Sequence, residues 1–195
     1  MKQFSPEAIW SMDEKELSTL LEKDFLRSDK KGIRFYAPSF MYYKTNHFRS
    51  TPTDFPTISI TGKSCSLNCK HCGRMVLETM YPVKSSKELF QLCARLKDGG
   101  ALGCLVSGGC LPNGSVPVEG FIEGIARVKR ELDLTVLVHT GIIDQPTAGA
   151  LAEAGVDSVL IDVVGSNETI KEICKLGITT DDYERSLRAL NESGV

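Results

Sequence analysis

Cys65, Cys69 and Cys72 stand in one short stretch, TGKSCSLNCKHCGR, with the spacing C-x3-C-x2-C. Thiolates are strong, soft metal ligands, and three of them on one loop can converge on a single metal centre. A [4Fe–4S] cube is ordinarily held by cysteine thiolates, so three ligands would leave one iron open to something else. A structural zinc site prefers four closed ligands, often as two CxxC-like pairs. His71 could supply a fourth ligand here, but no second pair follows at zinc-finger spacing. The plainest alternative treats cysteines as small buried residues. Cys93, among Leu89, Phe90, Leu92 and Leu96, and Cys174, in IKEICKLG, fit that description.

The elements around the loop must position it. Thr57-Ile58-Ser59-Ile60 alternates hydroxyl and apolar side chains as a short strand does, and Thr61-Gly62 breaks it into the cysteine loop. Met75–Met80 reads as a short helical turn. A beat of helix and strand then continues: helix 86–97, strand 103–106, helix 117–131, strand 134–138, helix 146–154, strand 158–162 and helix 180–192. Alternation of this kind predicts an α/β fold with a parallel sheet of βαβ units, curled by right-handed crossovers. Gly108-Gly109 is not part of a G-x-G-x-x-G fingerprint, so a dinucleotide site is disfavoured and a barrel favoured. About four strand–helix units are present, whereas a full eight-fold barrel needs about 250 residues. The expected architecture is the N-terminal half of a partial TIM barrel, in a chain that reads as truncated and leaves its fourth strand as an unpaired edge.

In α/β barrels the chemistry gathers at the C-terminal ends of the strands. There the sequence places the cysteine loop, then Ser107-Gly108-Gly109-Cys110, then His139-Thr140, then Asp162. Two adjacent glycines let backbone approach a ligand closely. Cys110 is open to three readings: ligand of a second cluster, substrate contact, or free thiol in a glycine-rich turn. Asp162 could bind ribose hydroxyls or cap the loop that follows it.

Residues 1–50 read as an N-terminal helical extension and ribbon, and 51–195 as the core domain. Residues 5–29 are predicted helical, with a capping box at Ser11–Glu14 and an apolar stripe through Leu17, Leu20, Leu21 and Phe25 packed on the domain. Lys30-Lys31-Gly32 ends that helix, Ile33–Tyr43 is extended but interrupted by Pro38, and 45–56 reads as a loop with His47 at the surface.

Composition bounds the function. The net charge of −2 over 195 residues gives no sign of a nucleic-acid surface, and no apolar run approaches the length that crosses a bilayer. Seven cysteines, an odd number, without a secretion signal point to a reducing cytoplasm and to metal or free thiols rather than disulfides.

The strand, the C-x3-C-x2-C loop with His71 before its third cysteine, and the glycine pair ending the second strand together resemble the radical S-adenosylmethionine (SAM) superfamily. The resemblance covers the chain from about Ile33 onward. It implies a radical SAM enzyme whose [4Fe–4S] cluster sits on Cys65, Cys69 and Cys72. That cluster would bind SAM at its open iron and cleave it reductively to a 5′-deoxyadenosyl radical, which abstracts hydrogen from a substrate. It further implies SAM contacts from Ser107, Gly108, Gly109 and Cys110, from His139 and Asp162, and from His71 near the adenine. The family's GGE-like motif carries Cys110 in place of its acid here. The DVVGS turn, IKEICKLG and TTDDYERSLRAL are similar to biotin synthase and lipoyl synthase relatives, nearest to a component of the two-protein lipoyl synthases. That likeness implies sulfur insertion into an octanoyl group on a lipoyl carrier protein. It brings with it an auxiliary iron–sulfur cluster as sulfur source, a second radical SAM subunit, and a reductant such as ferredoxin or flavodoxin. Two other readings stand beside it: a radical methylation or rearrangement in cofactor synthesis, and a non-catalytic iron–sulfur or zinc protein.

Overall fold

Runs of buried β-branched and small residues at 57–59, 103–107 and 135–139 lay down a parallel sheet, and the amphipathic helices between them cover one of its faces. The computed structural model describes residues 11–22, 42–47 and 49–195. The chain divides into two units, Met1–Tyr36 and Ala37–Val195.

In the first unit the described element is helix α1, Glu14–Glu22. Its capping box differs from the expected one. Asp13 and Glu16 exchange side-chain to backbone bonds, Glu16 N–H to Asp13 Oδ1 at 2.8 Å and Asp13 N–H to Glu16 Oε2 at 3.1 Å. A carboxylate accepts from the first-turn amides at least as well as a serine hydroxyl does, so Asp13 takes the cap. Leu17 is exposed. The expectations for residues 5–10, the Leu20 and Leu21 side chains, Phe25, Lys30–Gly32 and the ribbon before Tyr42 lie outside the described residues.

The second unit begins with a two-residue hairpin, β1 (Tyr43–Lys44) against β2 (Arg49–Ser50), where the sequence reads partly as loop. A five-stranded sheet follows: β3 (Thr57–Ser59), β4 (Tyr81–Pro82), β5 (Gly103–Ser107), β6 (Thr135–His139) and β7 (Ser158–Leu160), in the order β4-β3-β5-β6-β7 and parallel throughout. Four of these strands are as expected. The fifth, β4, is a correction to the count: two residues, one of them proline, carry no periodic signal. It is held on the outer edge of β3 by Val83, whose N–H donates to the Ser59 carbonyl at 2.9 Å and whose side chain is buried. The cysteine loop is therefore the connection between two neighbouring strands, with both of its ends fixed in the sheet.

Each helix starts and stops for a local reason. Helix α2 (Ser86–Asp98) is capped by Ser85, which accepts from Glu88 N–H, while Glu88 reaches back to Lys84 N–H. Its Leu89, Leu92 and Cys93 face the core. Helix α3 (Ile122–Arg127) follows a 3-10 turn at Glu119–Phe121 and runs on as a π turn, Val128–Leu132. Helix α4 (Gln145–Glu153) has Asp144 as its cap and proline in its first turn, and Leu151 is fully buried. After β7 come a short helix, α5 (Asn167–Thr169), and a π turn, Ile170–Cys174. Helix α6 (Thr180–Ser193) begins with a Thr179–Asp182 capping box.

The main core lies between the helices and the strand residues Ile58, Cys104, Val106, Val136 and Val138. Cys93 sits in it as expected, with its sulfur 3.9 Å from that of Cys104. A second, smaller core of Leu67, Ile170, Cys174, Leu176 and Tyr183 lies beneath the cysteine loop, and Cys174 packs there as expected. Among the described residues no helix is long and apolar enough to cross a membrane.

One substitution at two glycines tests this packing. A Cβ on Gly103 would lie 2.3 Å from the Thr135 carbonyl oxygen and 2.4 Å from the Phe55 ring, whereas one on Gly149 meets nothing within 4 Å. Chemical denaturation should show Gly103→Ala destabilised by about 1–3 kcal/mol through overpacking. Gly149→Ala, inside α4, should be stabilised by about 0.5–1 kcal/mol through helix propensity.

Candidate functional site

The site begins where β3 ends. Ile60 N–H donates to the Ser107 carbonyl at 2.8 Å, tying the exit of β3 to the exit of β5. The chain then turns, with Ser59 Oγ donating to the Gly62 carbonyl at 2.6 Å, and enters the cysteine loop. That loop is seated on the turn after β5. Gly109 N–H donates to Thr61 Oγ1 at 2.7 Å, and Ser66 N–H donates to the Cys110 carbonyl at 2.8 Å. A Cβ on Gly109 would fall 2.0 Å from the Ser64 carbonyl oxygen and 2.6 Å from Cys65 Cα. Only glycine lets the two segments approach this closely.

The same seat brings the Cys110 N–H to Cys65 Sγ at 3.3 Å. Amide hydrogen bonds to sulfur stabilise its anionic form and tune any metal bound to it. The far side of the loop is fixed to the π turn after β7. Lys70 N–H donates to the Ile173 carbonyl at 2.9 Å, and the Cys69 thiol donates to the Cys174 carbonyl at 3.2 Å. Within the loop, Arg74 Nε donates to the Leu67 carbonyl at 3.1 Å, and Leu67 sinks into the second core.

Cys65, Cys69 and Cys72 are all free and partly exposed. Burial pushes the Cys69 thiol up, with the Cys174, Cys65 and Cys72 sulfurs adding to it. Cys110 is pushed up to about 12, first by burial and then by Cys65, Cys69, Asp162 and Cys72. These causes place Cys110 among the three loop cysteines. Among the described residues no three His, Cys, Asp or Glu side chains close on a point as ligands of a single ion do. A cube is ligated at separate corner irons, and this half-buried loop of three free thiols, with an N–H directed at one sulfur, fits that group.

Beside the loop lies a polar row. The register pairs Ser59 with Ser107, Val106 with Val138 and His139 with Leu160. Side chains alternate along a strand, so Ser59, Ser107 and His139 share the face opposite Cys104, Val106, Val136 and Val138. Ser107 Oγ lies 3.2 Å from His139 Nδ1, and His139 Nε2 lies 3.3 Å from Asp162 Oδ2. An ionised carboxylate only accepts, so Nε2 carries a proton, and Nδ1 accepts from the Ser107 hydroxyl when the ring is neutral and donates to it when the ring is charged. The bond from His139 holds the Asp162 carboxyl below the usual carboxylate range, burial opposes it, and charge on His139 and His71 adds to the lowering. Asp162 thus faces both histidines.

Of the candidate residues named from sequence, contacts along this edge join Ser107 to His139, His139 to Asp162 and Cys110 to Cys65. Sequence reasoning passed over Thr61, which holds Gly109, and Tyr183, buried on α6 against the floor of the loop. Burial pushes the Tyr183 phenol up, with Cys174, Asp162, Cys110 and Cys69 around it. The signal for Tyr183 is its place on the buried face of α6 with Ser186, Ala189 and Leu190.

A family model described as the radical SAM superfamily matches residues 59–195. Biotin synthase of Geotalea daltonii is 30% identical over 132 residues, covering 65% of this chain and 39% of that protein. Biotin synthase of Leptospira interrogans is 30% identical over 115 residues, covering 56% of this chain and 32% of that protein. The chain thus spans about two-fifths or less of the length of these curated relatives. Among solved structures, methylornithine synthase is similar with a TM-score of 0.54 at 18% identity, over 71% of this chain and 41% of that one. HydG, a maturase of the [FeFe]-hydrogenase, has a TM-score of 0.56 at 16% identity, over 72% of this chain and 33% of that one. At these identities the two structures bear on the fold alone, and both support the partial-barrel architecture.

Two measurements test the geometry without any cofactor. Gly109→Ala should lift the cysteine loop off its seat, so that Cys65 and Cys110 react several-fold faster with a disulfide reagent while circular dichroism is unchanged. In His139→Phe, carboxyl NMR should show the Asp162 titration move up toward the ordinary range. A depressed carboxyl contributes stability above its unfolded-state pKa and loses it as pH falls through the folded-state value. The acid-side loss of stability assigned to Asp162 should therefore be absent from the variant.

Proposed function

The chain belongs to the radical SAM superfamily, and on that premise we propose that it takes part in reductive cleavage of SAM, with Cys65, Cys69 and Cys72 as the ligands of the cluster. The family implies a [4Fe–4S] cluster and SAM as the cofactors. When bound, they supply an electron and a sulfonium whose cleavage yields a 5′-deoxyadenosyl radical able to take hydrogen from an unactivated carbon. The chain's own residues do the rest. The observation that carries this reading is the seat of the cysteine loop on the glycine turn, with the Cys110 N–H at 3.3 Å from Cys65 Sγ.

In this reading Ser107, Gly108, Gly109 and Cys110 offer backbone to the amino-acid end of SAM. Asp162 accepts from ribose hydroxyls, His139 fixes the orientation of Asp162, and His71 lies toward the adenine. Holding Asp162 ionised keeps it an acceptor across the neutral range, which a ribose diol requires. Leu67, Cys174 and Tyr183 exclude water from the floor, which protects a radical from quenching.

The substrate is proposed from the resemblance and from the biotin synthases among the relatives: sulfur insertion at an unactivated carbon, in biotin or lipoyl synthesis. The lipoyl version adds a lipoyl carrier protein, a second radical SAM subunit and an auxiliary cluster, with Cys110 as the candidate ligand on this chain. A low-potential reductant and a cytoplasmic location complete the proposal.

The test is anaerobic reconstitution with iron and sulfide, then dithionite and SAM, with 5′-deoxyadenosine read by chromatography. Alanine at any one of Cys65, Cys69 or Cys72 should reduce the product to background. Cys93→Ala should retain it at a stability cost of about 1–2 kcal/mol, the usual range for a small core truncation. Tight zinc binding without a sulfur-to-iron charge-transfer band would sink the assignment.

A further inference from the structure

Helix α6 turns Tyr183, Ser186, Ala189 and Leu190 inward, and one of these does not behave as a packing residue. Ser186 is fully buried and its hydroxyl is engaged: Oγ donates to the Asp182 carbonyl at 3.0 Å and accepts from Ile143 N–H at 3.0 Å. Tyr183 is 6% exposed, in the small core with Leu67, Ile170, Cys174 and Leu176. Among the described residues no hydrogen bond reaches its hydroxyl. A buried tyrosine ordinarily finds a partner for its O–H, because desolvating a hydroxyl without one disfavours the fold. Phenylalanine would fill the same space without that penalty.

The hydroxyl is not sealed in, either. Among the described residues the enclosed side-chain oxygen without a partner is Ser50 Oγ, so the Tyr183 oxygen keeps some open surface. It is faced by Cys174, Asp162, Cys110 and Cys69, and burial keeps its proton on. A free phenol donor thus stands between the cysteine loop and Asp162. The first turn of α6 holds it there. Thr179 and Asp182 close a capping box, Thr180 N–H donates to Asn167 Oδ1 at 2.8 Å, and Ser186 is bonded to Ile143. A donor fixed in this way loses little freedom when a ligand arrives.

The neighbouring glycine turn indicates which acceptor is wanted. An amino-acid end carries an ammonium, which needs acceptors, and a carboxylate, which needs donors. The Gly109 N–H is already given to Thr61 Oγ1 and the Cys110 N–H to Cys65 Sγ. Ionised Asp162 only accepts. Next to Cys110 a carboxylate therefore finds few donors, and Tyr183 holds a spare one.

We propose that Tyr183 is a further binding residue of this site, whose phenol donates to the carboxylate at the amino-acid end of SAM. The inference rests on the SAM reading above. The packing of α6 does not require that hydroxyl; its partner comes with the ligand.

The experiment compares Tyr183→Phe with the unsubstituted chain. Urea denaturation without cofactors should place the variant's midpoint at or above that of the unsubstituted chain, since an unpaired hydroxyl has gone. Equilibrium dialysis against the anaerobically reconstituted proteins, at equal iron content, should show the variant binding SAM about tenfold or more weakly, the loss expected for a hydrogen bond to a charged group. Decarboxylated SAM keeps the nucleoside, sulfonium and ammonium but has no carboxylate, and should bind both proteins equally. A lowered urea midpoint, an equal SAM affinity, or an equal loss for SAM and decarboxylated SAM overturns the proposal while leaving the SAM reading intact. A reconstituted chain that binds neither sulfonium overturns that reading, and the proposal with it.

Discussion

Two backbone segments far apart in sequence meet at a distance that admits no side chain. Gly109 lies so close to Ser64 and Cys65 that a single added carbon would sit 2.0 Å from a carbonyl oxygen. That approach fixes the cysteine loop relative to the sheet, because it lets the Gly109 N–H donate to Thr61 Oγ1 and the Cys110 N–H to Cys65 Sγ across the junction. Individually such bonds contribute about 0.5–1.5 kcal/mol net. Their larger effect is geometric. The loop enters from β3 and leaves into β4, the neighbouring strand, and its middle is bonded to the π turn after β7. Four anchor points around one loop restrain it from opening into solvent.

The two cores divide the work. The large one, beneath the helices, sets the sheet. The small one, Leu67 with Ile170, Cys174, Leu176 and Tyr183, makes a dry floor under the thiols. Dryness has an electrostatic consequence: burial disfavours a free thiolate, as the upward shifts of Cys69 and Cys110 record. Deprotonation then becomes favourable when a cation takes the proton's place. Metal binding and thiol deprotonation are linked in this way, and a floor that resists bare thiolates raises the preference for ligated ones.

How much of this was legible beforehand depends on how local each signal is. The strands at 103–107 and 135–139 announce themselves through apolar runs, and the helices through caps such as Ser85 and Asp144. The thiol spacing is local and was read directly. Strand β4 was not, because Tyr81-Pro82 becomes a strand only through its parallel pairing with β3. The cap of α1 fell on Asp13 rather than Ser11 because two nearby candidates compete and only geometry decides between them. Strand-end position singled out His139 and Asp162, but their hydrogen bond could not be seen. The Cys69–Cys174 contact, across 105 residues, has no local trace at all.

The placement of the polar row follows from parallel pairing itself. In an antiparallel sheet successive strand ends fall on opposite edges. Here every strand finishes at the same edge, so Ser107, His139 and Asp162 arrive at one height although the chain travels through two helices between them. Period-two alternation then settles the face. Val106 and Val138 must bury against the helices, which turns Ser107 and His139 the other way, above Leu105 and Leu137. A slip of β6 by one residue against β5 would put His139 into the apolar core and Val138 on the polar face. The requirement to bury Val106 and Val138 therefore also holds the hydroxyl, imidazole and carboxylate at the mouth of the cysteine loop.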